Sequence, residues 1–220
     1  NVADKAISEG VPTLNEFFNI DNVSNLKNFL GSTDLILASN CICHIPNLDD
    51  LIKGIDLLLS KDGTFIFEEP YLGSMFEKTS YDQIYDEHIY MFSVSSIEKI
   101  FNRYDFQLID AIPQITHGGS MRYIIKRKNN NIISNGMKKI LESEKNKMID
   151  SLESCLEFKK NCEKSKKNII QKLDNLKNEN KRICGYAATS KSTTILNYCQ
   201  IDSNTIDFIC DTTPDKIDKF

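Results

Sequence analysis

Asp34-Leu35-Ile36-Leu37-Ala38-Ser39, running on into Asn40-Cys41-Ile42-Cys43-His44-Ile45-Pro46, is the stretch on which the fold turns. An apolar run bracketed by Asp34 and Ser39 predicts a buried strand of the parallel kind, because such strands are covered on both faces and do not alternate. After it, Asn47 is placed to cap a helix from Leu48 to Leu59. Gly63 then turns the chain into a second buried strand, Thr64-Phe65-Ile66-Phe67, which ends at Glu68-Glu69-Pro70-Tyr71. Before it, Val2, Ala3, Ala6 and Ile7 form a helical stripe closed by Gly10, Val11 to Phe18 reads as a short strand, and Val23 to Phe29 reads as a helix stopped by Gly31. Strands alternating with helices argue for an open α/β sheet. In such sheets ligands sit beyond the carboxyl ends of the strands. That rule draws attention to Glu16, Phe17 and Phe18, to Ser39, Asn40 and His44, and to Glu69 and Tyr71.

Directly downstream, Ser80 to Ser93 crowds Tyr81, Asp82, Tyr85, Asp86, Glu87, His88 and Tyr90 into a segment without glycine or proline. An imidazole has the side-chain pKa nearest neutrality, about 6.5, so His88 suits a general base. Tyr85 and Glu87 are close enough in sequence to orient it or to donate to an oxyanion. The same segment also reads as an amphipathic surface helix, and His44 as a loop or capping histidine. Ser93 to Tyr104 is expected to be a capped helix, and Phe106 to Ile112 and Met121 to Lys126 two strands. The loop joining them carries His117-Gly118-Gly119-Ser120. Its paired glycines permit a close backbone approach, so it could offer N–H groups to an oxygen, or be a plain hairpin loop.

Beyond Arg127 the composition shifts. Met137 to Arg182, rich in Lys, Glu, Asn and Leu and free of proline and glycine, predicts one or two long helices packed on a neighbouring domain. At Ile183 an α/β pattern restarts: strand 183–186, a small-residue turn, helix from Ser192 to Cys199, and a strand from Ile206 to Cys210 ending at Asp211. Thr189, Ser190 and Lys191 at that helix start suit a phosphate. The full G-x-G-x-x-G pattern is missing, so a structural βαβ unit is the other reading.

The 220 residues carry a net charge of −4 and are 40% hydrophobic, enough for a sizeable core and without the basic surplus of a nucleic-acid binder. Seven scattered cysteines fit reduced thiols in a cytoplasm better than a disulfide framework. Cys41, Cys43 and His44 superficially suggest a metal, but no second ligand pair stands at zinc-finger spacing, so no metal site is expected. No apolar run reaches the roughly 18 residues of a membrane span.

Four segments together resemble one family: Ala38 to Pro46; Phe67 to Tyr71 running through Tyr81-Asp82-Gln83-Ile84-Tyr85-Asp86-Glu87-His88; His117 to Arg122; and Gly185-Tyr186-Ala187-Ala188-Thr189-Ser190-Lys191. They are similar to the S-adenosylmethionine-dependent C-methyltransferases of nucleotide-sugar biosynthesis. The resemblance implies an α/β fold: a class I, Rossmann-like methyltransferase sheet, incomplete at its N-terminus, over residues 1–130; a helical connector over 131–181; and the start of a second Rossmann-like domain over 182–220. It implies a fragment, inactive by itself, lying after a zinc-binding module and the glycine-rich cofactor loop. Zinc would belong to that module alone. The implied cofactor is S-adenosylmethionine and the implied partner a nucleotide-linked keto-deoxysugar, with no nucleic acid or membrane involved and the protein a cytoplasmic monomer. By the resemblance His88 is the base and Tyr85, Glu87 and His44 its partners, with the choice between His88 and His44 open. Glu16, Phe17, Phe18, Ser39 and Asn40 would border the cofactor. Glu69, Tyr71, His117, Gly118, Gly119, Ser120, Arg122, Thr189, Ser190 and Lys191 would face the sugar nucleotide. A nucleotide-sugar binding subunit, or a methyltransferase acting on another keto acceptor, remains an alternative.

Overall fold

The computed structural model describes residues 2–129 and 131–216. Helices α1 (Val2–Ser8) and α2 (Ile20–Leu30) come first; Asn19 caps α2 by accepting from the Asn22 N–H, and Gly31 ends it at φ 76°. Strand β1 (Thr33–Ser39) follows, then α3 (Leu48–Leu58), with the Asn47 side chain accepting from the Asp50 N–H as its cap. Strand β2 runs from Leu59 to Pro70 and α4 from Leu72 to Lys78. Helix α5 (Val94–Asn102) opens on a reciprocal Ser93–Ser96 capping box. Strands β3 (Phe106–Gln114) and β4 (Ser120–Arg127) complete the main sheet.

The sheet order is β1-β2-β4-β3 and the sheet is mixed: β1 is parallel to β2, while β4 is antiparallel to both β2 and β3. In register, Ala38 pairs with Phe67 and Phe67 with Tyr123, so the ends of β1 and β2 finish side by side. Phe65, Phe67, Tyr123 and Ile125 face Ile52 and Ile55 of α3 and Val94, Ile97 and Phe101 of α5, all at most 2% exposed. Burial of each such side chain stabilises by roughly 1.5–3 kcal/mol, which is why two amphipathic helices suffice to fix the sheet.

Two expectations are corrected here. Residues 11–18 form no strand: Pro12 lacks a backbone donor and no strand pairs with the segment, whose Phe18 ring instead lies over Gly54 of α3. Strand β1 is not buried on both faces. Among the described residues it pairs only with β2; Ile36 and Ala38 pack on the core while Leu35 and Leu37 stand 48% and 67% exposed.

Helix α6 (Asn135–Asn146), capped by Ser134, packs on β3 and α5, with Met137 wholly buried. Helix α7 (Leu152–Asn178) then crosses to a small unit of parallel strands β5 (Cys184–Tyr186) and β6 (Phe208–Cys210) joined through α8 (Ser190–Cys199). Phe158 of α7 stacks on Phe76 of α4 at 4.9 Å, and Glu163 accepts from the Tyr198 hydroxyl of α8 at 2.6 Å, so α7 ties the two units together. Helix α8 begins two residues before the predicted Ser192, because Thr189 and Ser192 form a capping box around its start.

Candidate active site

The Ser80–Ser93 segment is not a helix. A single 3-10 turn at Tyr81–Gln83 gives way to irregular chain, and this frees its polar side chains to point independently. The His88 Nδ1 lies 2.9 Å from the Gln83 carbonyl oxygen. A carbonyl only accepts, so Nδ1 carries the proton and Nε2 keeps its lone pair. The Tyr85 hydroxyl donates to that Nε2 at 2.7 Å. Burial, the largest influence, holds the His88 pKa below the ordinary histidine value; His44 and Lys191 push the same way, against the Gln83 carbonyl and Glu69. Tyr85 is raised above the usual tyrosine range, first by burial and then by Cys43 and nearby acids. At neutral pH the pair is therefore an unprotonated imidazole facing a protonated phenol.

His44 reaches the same place from the end of β1. Its ring centre lies 5.0 Å from that of His88, and its Nδ1 donates to the main-chain carbonyl of Glu87 at 2.6 Å. Glu87 thus enters the site through its backbone while its carboxylate is exposed, which departs from the side-chain role expected of it. The turn carrying His44 is held from below by Glu69, whose Oε1 accepts from the Cys41 and Ile42 N–H groups at 2.9 and 2.6 Å. The Cys43 carbonyl in turn accepts from Ile89 and Tyr90, locking the two histidine loops together.

The other residues expected at the substrate have partners within the protein. Glu69 is wholly buried and supports the turn through Oε1, while its Oε2 has no hydrogen-bond partner among the described residues. The Tyr71 hydroxyl is committed to Glu144 at 2.9 Å, and burial, chiefly, raises its pKa. Arg122 pairs with Glu68 at 2.9 Å, and Ser120 is buried with its hydroxyl on the Thr116 carbonyl. The Gly118-Gly119 loop spends the Gly119 N–H on Thr116 and packs so closely on α4 that a Cβ at Gly119 would lie 2.5 Å from Ser74. Its use is support: the His117 carbonyl accepts from Gln83 Nε2 at 2.6 Å, and the Gln83 carbonyl then orients His88, while the His117 side chain is exposed. Gln83 went unnoticed in the sequence, which offers no signal for it.

Facing Tyr85 is a cleft of about 600 Å³ between the Ile84–Asp86 chain and the start of α8, lined also by Ala188, Thr189, Ser190, Thr193, Thr194, Asn197 and Lys216. Here the predicted phosphate turn is partly filled from within. The Asp211 carboxylate accepts from the Ala188 N–H at 2.7 Å, and backbone bonds hold its pKa well below the carboxylate range. Thr189 caps its own helix. Lys191 instead lies close enough to His88 to act on its charge.

Of the residues expected at the cofactor, Ser39 and Asn40 stand at the carboxyl end of β1 beside the His44 turn. Asn40 donates to Ser39 Oγ at 3.1 Å, and its Oδ1 is shielded from solvent with no hydrogen-bond partner among the described residues. Glu16 accepts from Asn22 at 3.4 Å, Phe17 is exposed, and Phe18 packs into the core.

Sheet and site define an α/β protein with two histidines and a tyrosine gathered beyond its strand ends, and comparison with known proteins shows what it is similar to. One family model, described as a methyltransferase domain, matches residues 5–111, and a second, the C-methyltransferase C-terminal domain, matches residues 115–220. The chain is 26% identical over 214 residues to the C-methyltransferase NovU of Streptomyces niveus, covering 97% of this chain and 51% of that protein. It therefore spans about half the length of the curated relative. Among solved structures, an S-adenosylmethionine-dependent methyltransferase from Anabaena variabilis aligns at TM-score 0.40 and 16% identity, covering 54% of this chain and 58% of that one. The N-methyltransferase NodS of Bradyrhizobium japonicum aligns at TM-score 0.31 and 10% identity, covering 44% and 52%. Between them the two models run along nearly the whole chain, so its first half is similar to a methyltransferase domain and its second half to the C-terminal domain of C-methyltransferases. Among the described residues no helix is long and apolar enough to cross a membrane.

Proposed function

We propose that this chain carries the proton-abstracting half of an enzyme that C-methylates a nucleotide-linked keto-deoxysugar. The observation that carries this reading is the His88–Tyr85 pair. The imidazole has its lone pair fixed on Nε2, and Tyr85, whose hydroxyl meets it, also lines a cleft of about 600 Å³.

The sugar ketone lies against Tyr85, and His88 Nε2 takes the proton from the carbon beside it. As negative charge builds on the ketone oxygen, the Tyr85 hydroxyl, released from His88, donates to it; a donor placed where charge develops lowers the barrier more than one placed on the ground state. His44, held on the Glu87 carbonyl, walls the same space with a second imidazole ring. Ser39 and Asn40 hold the cofactor, whose polar hydrogens the orphaned Asn40 Oδ1 is placed to satisfy. Bound S-adenosylmethionine supplies an electrophilic methyl group for the enolate carbon. Thr189, Ser190 and Lys216 border the nucleotide end of the substrate. The chain divides for these tasks into residues 1–130 for cofactor and base, 131–181 as connector and 182–220 for the nucleotide.

The test is methyl transfer from labelled S-adenosylmethionine to a panel of 4-keto-deoxysugar nucleotides, using the protein that carries this chain and its His88→Asn variant. Transfer should fall by roughly 10²–10⁴-fold while both ligands still bind. Transfer that survives in the variant moves the base to His44. Transfer only to keto acceptors that are not sugars overturns the substrate.

A further inference from the structure

The objection to a metal at Cys41-Ile42-Cys43-His44 was the lack of a further ligand nearby in sequence. The fold supplies one from 44 positions away. One ligand atom each from Cys43, His44 and His88 lie within 4.8 Å of one another. From this juxtaposition we propose that Cys43, His44 and His88 form a binding site for a thiophilic divalent cation of the zinc type, and that the ion competes with catalysis by occupying His88.

Three features carry the inference. The donor set, one sulfur and two imidazole nitrogens, is one that suits zinc, which takes three protein ligands and a water in open tetrahedral sites. Both imidazoles are already arranged as metal-bound histidines usually are, each giving its Nδ1–H to a main-chain carbonyl, His44 to Glu87 at 2.6 Å and His88 to Gln83 at 2.9 Å. Both Nε2 lone pairs are thereby left for a ligand. Finally, the two loops are joined through the Cys43 carbonyl, which bonds the N–H groups of Ile89 and Tyr90, so the three ligands move as one piece.

Binding costs two things. The Cys43 thiol must lose its proton to solvent, one proton per ion bound. The Tyr85 hydroxyl must leave His88 Nε2, and the ligand atoms must draw together, since Zn–N and Zn–S bonds of about 2.0–2.3 Å call for closer approach. A site with these costs suits an inhibitory ion that comes and goes better than a permanent one.

The inhibitory consequence rests on the function proposed above; the binding itself does not, and is measured separately. The 220-residue chain is titrated with Co²⁺ alone, whose thiolate charge-transfer absorption reports a cobalt–sulfur bond, and then with Zn²⁺ against a chromophoric chelator. One equivalent should bind with the thiolate band present. Because loss of an outer-shell partner already weakens metal sites by roughly 10–100-fold, Cys43→Ser and His44→Gln should each weaken binding by at least about tenfold, and Cys43→Ser should remove the band. Both variants are checked for native circular dichroism, and His44→Gln, at a partly exposed position, covers the case in which the buried Cys43→Ser fails to fold. Binding that neither variant alters overturns the site and assigns the metal to the other cysteines, and an absence of stoichiometric binding overturns it outright. If methyl transfer is measurable, Zn²⁺ should inhibit the parent and spare Cys43→Ser; equal inhibition of both overturns the competition.

Discussion

Glu144 is 3% exposed, yet it carries a carboxylate, and its three hydrogen bonds allow its removal to be worked out in advance. Oε1 accepts from the Tyr71 hydroxyl at 2.9 Å and the Val94 N–H at 2.7 Å, while Oε2 accepts from the Ser95 N–H at 2.9 Å. The carboxylate thus fills the N-terminus of α5, whose first N–H groups have no partner inside the helix. A hydrogen bond to a charged group contributes about 1.5–3 kcal/mol net, and groups left buried without a partner add to the loss. Glu144→Ala should therefore cost about 3–6 kcal/mol, a large share of the roughly 5–15 kcal/mol by which domains are stable. Glu144→Gln keeps one acceptor but loses the charge facing the helix end, and should cost about 1–3 kcal/mol. Tyr71→Phe should cost about 1–2 kcal/mol, and in a double-mutant cycle should couple to Glu144→Ala by about 1 kcal/mol or more. Urea unfolding followed by circular dichroism gives all four values, with the denaturant slope confirming that the same transition is compared. A cost below about 1 kcal/mol for Glu144→Ala, or strict additivity with Tyr71→Phe, would refute the assignment of α5's anchorage to this carboxylate.

Because the His88 pKa is lowered, the base stays unprotonated until the pH drops below the ordinary histidine value, so the acid limb of kcat/KM should lie below about pH 6.5. Lys191 contributes to that lowering, so Lys191→Met should move the limb to higher pH; a shift to lower pH would show the charge is not felt at His88. Gly119 sits at φ 133° with no room for a Cβ against Ser74, so Gly119→Ala should lower stability by about 1–3 kcal/mol in a thermal or urea melt, and a neutral outcome would mean the loop does not pack on α4. Gln83→Leu removes the bond to the His117 carbonyl but leaves the backbone carbonyl that holds His88; it should reduce kcat with little change in substrate binding, which single-turnover kinetics would separate.

Helices were legible where the capping residue was recognised, whereas α2 and α8, capped by Asn19 and Thr189, start earlier than the Val23 and Ser192 expected. Asn47 and Ser93 cap α3 and α5 where their side chains could reach an N–H three residues on, a rule that needs no knowledge of the rest of the chain. Strand environment was not legible, because it depends on partners. Leu35 and Leu37 read as buried until β1 proved to be at the sheet's edge, and residues 11–18 read as a strand until nothing paired with them. At the site, the resemblance pointed to His88, Tyr85 and His44, which the structure brings together. The side chains beneath them were invisible, since Glu69 as a strand-end carboxylate looks the same whether it faces a ligand or a turn. Glu144 had a readable signal: it falls on the apolar stripe of α6 with Met137 and Leu141, where a charge has to be answered by buried donors.

Gln83 ties together two parts of the chain that the sequence keeps far apart. Its side chain grips the glycine loop while its own carbonyl aims the histidine, so the loop around His117 behaves as the far end of a lever whose short arm is the base. Anyone redesigning that loop to admit a different ligand would be retuning proton transfer at the same time, and selection for a new acceptor in this scaffold has to find changes that leave one carbonyl oxygen where it stands.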